Sequence, residues 1–143
     1  PMMSPAHFEE FIYPRLKKAI AAIHEEGALC IKHSDGNLWA ILDLIVAAGP
    51  DAINPLEPMA DMDMGRVKAA FGKQVSLVGN IDCGELLSHG TPAQVEAAVR
   101  DCIAAGAPGG GFILSSSNSI HSSVDPANYQ AMVQAGLTYG TYD

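Results

Sequence analysis

The chain has 143 residues, 48% apolar and 17% charged, with a formal net charge of −8. That length gives one globular domain, 1–143, with a core of its own, and the apolar fraction excludes a disordered chain. No run approaches the roughly 20 apolar residues of a membrane span, and the negative charge excludes nucleic acid, whose phosphates it would repel.

The N-terminal stretch "PMMSPAHFEEFIYPRLKKAI" is amphipathic and predicts a helix from Pro5 to Glu26, capped by Ser4 with Pro5 in the first helical position. Phe8, Phe11, Ile12, Leu16, Ile20 and Ile23 recur at helical spacing. Pro14 should kink or split this helix, because it donates no amide and crowds the preceding turn. Gly27 ends it. "ALCIK" then predicts a short buried strand, and Leu38 to Ala48 returns to helical spacing through Leu38, Ile41, Leu42 and Ile45. "DAIN" (51–54) is the second strand, followed by a helix through Met64, Val67, Ala70 and Phe71 with Asp61 or Asp63 as its cap. "VSLVGN" (75–80) is the third. "TPAQ" (91–94) joins an N-cap, a helix-starting proline and a capping-box glutamine ahead of Val95, Val99 and Ile103. "GFILS" (111–115) is the fourth strand, and "DPANYQAMVQAG" (125–136) a last helix capped by Asp125.

Short apolar strands alternating with helices mean an α/β fold with a parallel sheet covered by helices. A doubly wound open sheet and a (β/α)8 barrel both accept the pattern. A flavodoxin-like sheet would use about five strands, and no glycine-rich phosphate loop follows the first strand here. "GAPGGGF" (106–112) precedes a strand instead, and reads as a helix stop and tight turn. A barrel uses about 250 residues for eight units. At that rate this chain holds half a TIM barrel, one N-terminal helix plus four βα units.

Three cysteines, Cys30, Cys83 and Cys102, form no close pair, which argues against a disulfide framework or a thiolate-rich metal site. The N-terminus lacks a basic patch followed by an apolar stretch, so the expected compartment is the reducing cytoplasm. The sequence begins at Pro1 rather than at methionine, as a cut or processed end would.

Each predicted strand runs into polar residues at its C-terminal end, the edge where parallel α/β folds bind ligands. The first meets His33, Ser34, Asp35 and Asn37, and the second Asn54 and Glu57. The third meets Asn80 and Asp82, and the fourth Ser115, Ser116, Ser117, Asn118 and His121. Taken singly, such residues cap helices and satisfy turn amides as readily as they bind a ligand. Their coincidence on four strands favours a site. His33 is the leading candidate. Alternation along a strand puts Asp35 on the same side, where the two could work as acid–base and orienter or bind a metal. Asn37, with Gly36, reads as turn and helix start. His7, His24 and His89 read as surface residues.

The stretches "HSDGN", "DAINPLEPMADMD", "VSLVGNID", "LLSHGTPAQVEAAVRDCI", "GGGFILSSSNSIH" and "PANYQAMVQAGLTYG", in this order, resemble the C-terminal half of the uroporphyrinogen decarboxylase superfamily. That superfamily also holds zinc-dependent corrinoid methyltransferases. The resemblance implies the last four strands of a (β/α)8 barrel. In the decarboxylases a "GHGI" after the last strand supplies a histidine that faces the porphyrinogen. "SNSI" stands there in this chain and implies that Asn118 takes its place, without an imidazolium proton to deliver. The family's arginine cluster, its pyrrole-binding aspartate and its tyrosine belong to the N-terminal half. In the zinc methyltransferases an H-x-C follows the first of these strands and a second cysteine the last. Here His33 matches, Asp35 replaces the first cysteine, and the second falls within "SSSNS". The metal set still open is a harder one of His33, Asp35 and Glu57.

Three functions stand at this point. The first is a cofactor-free carboxy-lyase of the uroporphyrinogen decarboxylase kind, acting on a porphyrinogen or related small molecule. The second is a metal-dependent methyltransferase relative, with zinc at His33 as its discriminator. The third is a non-catalytic half-barrel module. All three leave two sheet edges unpaired. The expected partners besides a small ligand are therefore a second copy in a homodimer or a complementing N-terminal half-barrel.

Overall fold

The N-terminal segment forms a helix in three pieces: α1 (Pro5–His7), a wider π turn (Phe8–Ile12) and α2 (Tyr13–Glu25). This computed structural model describes residues 3–141. The break falls at Pro14, as the sequence suggests. The N–H of Tyr13 reaches back to the Phe8 carbonyl. Pro14 then sits in the first turn of α2, where a missing amide costs little. α2 lays Ile20 against Cys30 and Ala48, and its His24 Nε2 lies 2.8 Å from Asp51 Oδ2.

Four strand–helix units follow. They are β1 (Ile31–His33) with α3 (Leu42–Ala47), then β2 (Ala52–Asn54) with a short 3-10 turn (Pro58–Ala60) and α4 (Met64–Phe71). β3 (Ser76–Ile81) leads to α5 (Leu86–His89) and α6 (Pro92–Gly106), and β4 (Phe112–Ser116) to α7 (Pro126–Tyr139). The caps are local and legible. Asp63 Oδ1 takes the Arg66 amide at 2.7 Å, Thr91 and Gln94 close a reciprocal capping box, and Asp125 Oδ1 takes the Ala127 amide at 2.8 Å.

Two expectations need correction. The helix expected over 38–48 begins at Leu42. Leu38 and Ile41 are buried as the periodicity requires, but in a turn whose Leu38 amide points at Met62 Sδ. The first strand, expected to be buried, lies at the sheet edge, with Leu29 79% and Ile31 57% exposed.

The sheet order is β1-β2-β3-β4, every pair parallel. Sequence neighbours are spatial neighbours throughout, with none of the order reversal that defines a doubly wound sheet. The fold is therefore α/β, half of a (β/α)8 barrel. One face of the sheet carries Ile53, Leu77, Phe112 and Leu114 into a continuous core with Leu42, Ile45, Val67, Val95 and Val99 from the helices. Full burial of each such side chain contributes about 1.5–3 kcal/mol. Small residues let the helices close on β4. A Cβ at Gly106 would lie 2.6 Å from the Phe112 ring, and one at Gly136 would lie 2.8 Å from Leu114.

The register puts Ile31, Ala52, Ser76, Val78 and Ile113 on the opposite face, the one a barrel turns inward. That face is open at both edges, where Ile113 is 52% exposed across from Ile31. Among the described residues no helix is long and apolar enough to cross a membrane.

Candidate functional site

His33 and Asn54 are register partners at the ends of β1 and β2, and both stand on the open face. His33 Nδ1 lies 2.6 Å from Asn54 Oδ1, and its Nε2 lies 3.1 Å from Asp35 Oδ1. Both ring nitrogens therefore face oxygen acceptors. Asn118, after β4, donates from Nδ2 to the same Asp35 Oδ1 at 3.1 Å. Its amide orientation is fixed by the Ser119 N–H, which donates to Asn118 Oδ1 at 2.8 Å, while Ser116 Oγ donates to the Asn118 carbonyl at 2.7 Å. Three strand spacings separate β1 from β4, about 14 Å in a flat sheet. Contact between their loops requires the sheet to curl, as half a barrel does. The result is a polar relay across the mouth, running Asn54, His33, Asp35, Asn118, with the His33 and Asp35 side chains 52% and 54% exposed.

Glu57 lies beside this relay. Its Oε2 takes the Gly36 amide at 2.6 Å, which ties the loop after β2 to the loop that carries Asp35. Gly36 has φ +82, a left-handed conformation that glycine adopts without strain. Asn37 Oδ1 accepts the Trp39 amide at 3.2 Å, a turn-forming bond. Lys32 Nζ donates to the His33 carbonyl. Burial pushes the Lys32 ammonium below its ordinary pKa, opposed by Coulombic attraction to Cys30 and Asp35.

The residues at the end of β3 and just beyond it are placed differently. Asn80 is buried, and its Nδ2 donates to the Leu56 and Met62 carbonyls at 2.7 and 3.0 Å. Its Oδ1 accepts from the Cys102 thiol of α6, whose pKa burial pushes up. Asp82 accepts the amides of Gly84, Glu85 and Leu86 at 3.1, 2.8 and 2.9 Å and so starts α5. Ser117 is buried, and its Oγ accepts the Cys83 amide at 3.2 Å. None of these three joins the relay. Ser115 stands on the open face, two residues beyond Ile113. His121 is exposed, with its Nδ1 accepting from Ser123 N–H at 3.3 Å and no contact to His33.

One neighbour of these loops escaped the sequence reading. Trp39 donates from Nε1 to the Asp61 carbonyl at 3.0 Å and carries the Arg66 guanidinium 4.0 Å above its ring. A lone tryptophan beside "HSDGN" is a weak signal, and its arginine partner is 27 positions away in sequence (66 − 39). Ser116, expected at this edge, supports the site through its hydroxyl bond to the Asn118 carbonyl. A cavity of about 540 Å³ lies among Met62, Met64, Leu86, Ala98 and Cys102, and none of the relay residues lines it.

A tetrahedral zinc ion holds its nitrogen and oxygen ligands at about 2.0–2.1 Å, which sets adjacent ligand atoms about 3.3 Å apart. The 3.1 Å between His33 Nε2 and Asp35 Oδ1 would suit one such edge. The remaining ligands are missing. No group of three His, Cys, Asp or Glu side chains among the described residues could hold a metal, and the Glu57 carboxylate is turned to an amide. The residues present do not fit a structural or catalytic zinc site.

Known proteins share this architecture. The uroporphyrinogen decarboxylase (URO-D) family profile matches residues 1–139. Uroporphyrinogen decarboxylase of Idiomarina loihiensis is 26% identical over 141 residues, covering 94% of this chain and 37% of that protein. Methylcobamide:CoM methyltransferase MtbA of Methanosarcina mazei is 31% identical over 134 residues, covering 92% of this chain and 37% of that one. The structure of a methyltransferase from Methanosarcina mazei superimposes with a TM-score of 0.84 at 22% identity, covering 97% of this chain and 39% of the other, and shows a shared fold. The chain thus spans little more than a third of the length of these relatives. With nearly its whole length matched by one family profile, the chain belongs to the uroporphyrinogen decarboxylase family.

Proposed function

We propose that this chain supplies the acid–base half of a URO-D-type barrel and acts as a carboxy-lyase on a porphyrinogen or a related small molecule, without a resident metal. The observation that supports this is the relay of His33, Asp35 and Asn118, a proton-handling arrangement with too few strong donors for zinc. Decarboxylation of a pyrrole side arm needs no cofactor. Protonating a ring carbon makes the ring an electron sink, the C–C bond breaks to release CO2, and the methylene carbon takes a proton as the ring carbon returns one. A methyltransferase function, suggested by the 31% identity to MtbA, would call for a third metal ligand at the mouth.

The other four strands come in this reading from the remainder of a URO-D barrel or from a second copy. Exposed Leu29 and Ile31 at one edge and Ile113 at the other support such a closure. A cytoplasmic setting agrees with the free thiols of Cys30, Cys83 and Cys102, all buried.

The test combines the chain with the N-terminal portion of a URO-D relative and follows the masses of products from uroporphyrinogen. The expected result is carboxyl loss that resists chelators and disappears in Asp35→Asn. Carboxyl loss that requires added zinc would contradict the metal-free reading, and no carboxyl loss would contradict the carboxy-lyase reading.

A further inference from the structure

We propose that Asp35, rather than His33, is the group that meets the ligand at the mouth, and that it binds an N–H or O–H donor on a neutral or cationic part of that ligand. This rests on reading the relay as a ligand site, and it assigns the roles within it.

A histidine that works directly on a ligand needs one ring nitrogen turned towards it. Here Nδ1 lies against the Asn54 side-chain amide, which can accept from it or, turned over, donate to it, and Nε2 lies against Asp35, so neither nitrogen is left for a ligand. Asp35 differs. His33 Nε2 and Asn118 Nδ2 both lie 3.1 Å from Oδ1, and Oδ2 makes no hydrogen bond among the described residues. Two partners on one oxygen fix the plane of the carboxylate and leave the other oxygen without a partner, on a side chain that is half exposed. His33 and Asn118 are then positioning residues. Glu57 is a third, because its bond to the Gly36 amide holds the loop directly after Asp35.

The same placement sets the ligand class. A carboxylate with a free oxygen accepts hydrogen bonds and attracts cations. Glu57 adds a second negative group at the same lip, and Lys32, the adjacent cation, directs its ammonium to the His33 carbonyl. A ligand carboxylate at this point would meet like charge. A donor-bearing group would not, so an acidic substrate must enter with its carboxylates turned away from Asp35.

The test is an NMR titration of the labelled chain with benzylammonium, and separately with benzoate, a probe of matched shape and opposite charge. The Asp35 carboxyl carbon and the Asn118 side-chain amide are the reporters. Benzylammonium should shift both in the wild-type chain, and benzoate should shift neither. Asp35→Asn should weaken benzylammonium binding at least tenfold. His33→Gln should weaken it only a few-fold and change the Asn118 amide shift before any probe is added, a change that a purely structural role for His33 would not produce. Binding that survives in Asp35→Asn and vanishes in His33→Gln would overturn the assignment of roles, and a response to benzoate alone would overturn the ligand class. If neither probe moves any reporter while the spectrum shows a folded chain, the mouth is not a ligand site and the reading beneath this proposal fails with it.

Discussion

The strand ends of this half-barrel divide into two regions that look alike in sequence and behave differently in space. At the end of β3 and just beyond it, the polar side chains of Asn80 and Asp82 bond backbone groups, as does Ser117 just beyond β4, and Asn80 and Ser117 are buried. Across β1, β2 and β4, His33, Asp35, Asn54 and Asn118 bond one another, with Asn54 and Asn118 half-buried and His33 and Asp35 open to solvent. A side chain that satisfies a buried carbonyl or amide has a structural job, because leaving that group unpaired costs about 1–3 kcal/mol. A set of exposed side chains that hold each other in place stabilises little. Its geometry makes sense as a prepared surface for something else. Stability and ligand response should therefore separate cleanly between the two regions.

Substitutions sharpen that comparison, and the largest effect belongs to Gly79. A Cβ there would sit 2.2 Å from the Pro55 carbonyl oxygen, at φ +147. Gly79→Ala should lower the unfolding free energy by about 3 kcal/mol or more, read from the urea midpoint. Asn80→Ala comes next. It would strand the Leu56 and Met62 carbonyls and should cost about 2–3 kcal/mol in the same assay. Asp82→Ala removes a cap serving three amides and should cost about 1 kcal/mol. At the mouth, Asp35→Asn should leave the midpoint within about 0.5 kcal/mol of wild type. A mouth substitution as damaging as Asn80→Ala would erase the distinction between the regions.

The smallest effect is a pH dependence at the far end of the sheet. The Cys30 amide, and then His24, hold the Asp51 carboxyl below its ordinary pKa. A depressed folded-state pKa adds stability above the unfolded value of about 3.9, and that stability is lost as the pH falls through the folded value. The urea midpoint of Asp51→Asn should therefore trail wild type at pH 6, and the gap should close only as the pH falls from about 4 through the lower folded-state value. A gap that persists in acid would mean that Asp51 acts through packing or neutral hydrogen bonds instead.

Much of the fold was legible because its signals are local. The reciprocal bonds of Thr91 and Gln94, the caps at Asp63 and Asp125, and the break at Pro14 each depend on a few adjacent residues. The start of α3 was not legible, since Leu38 and Ile41 share helical spacing with Leu42 and Ile45 while lying in a buried turn. Periodicity reports burial, and a turn packed under Met62 satisfies it as well as a helix does. The exposure of β1 was hidden for a related reason. An apolar run reads as buried whether its neighbour belongs to the same half-barrel or to the part of the fold beyond it.

The site was half legible. The His33–Asp35 pair follows from strand alternation. Asn118 lies 83 positions from Asp35, and only the curl of the sheet brings them together. Asn54 and Asn80 each end an apolar strand in "IN" or "GN", yet one faces the mouth and the other the helix layer. Their difference lies in which backbone each one meets, which no short window contains.

In the proposed reading Asp35 works on the ligand while its counterpart Asp82 holds up the fold. The most direct measurement is the rate of carboxyl loss by Asp35→Asn in the completed barrel, set beside its urea midpoint. The expected result is a fall of at least about 100-fold, the usual scale for losing an acid–base group, with the midpoint unchanged. A rate equal to wild type in a fully folded Asp35→Asn protein would contradict it.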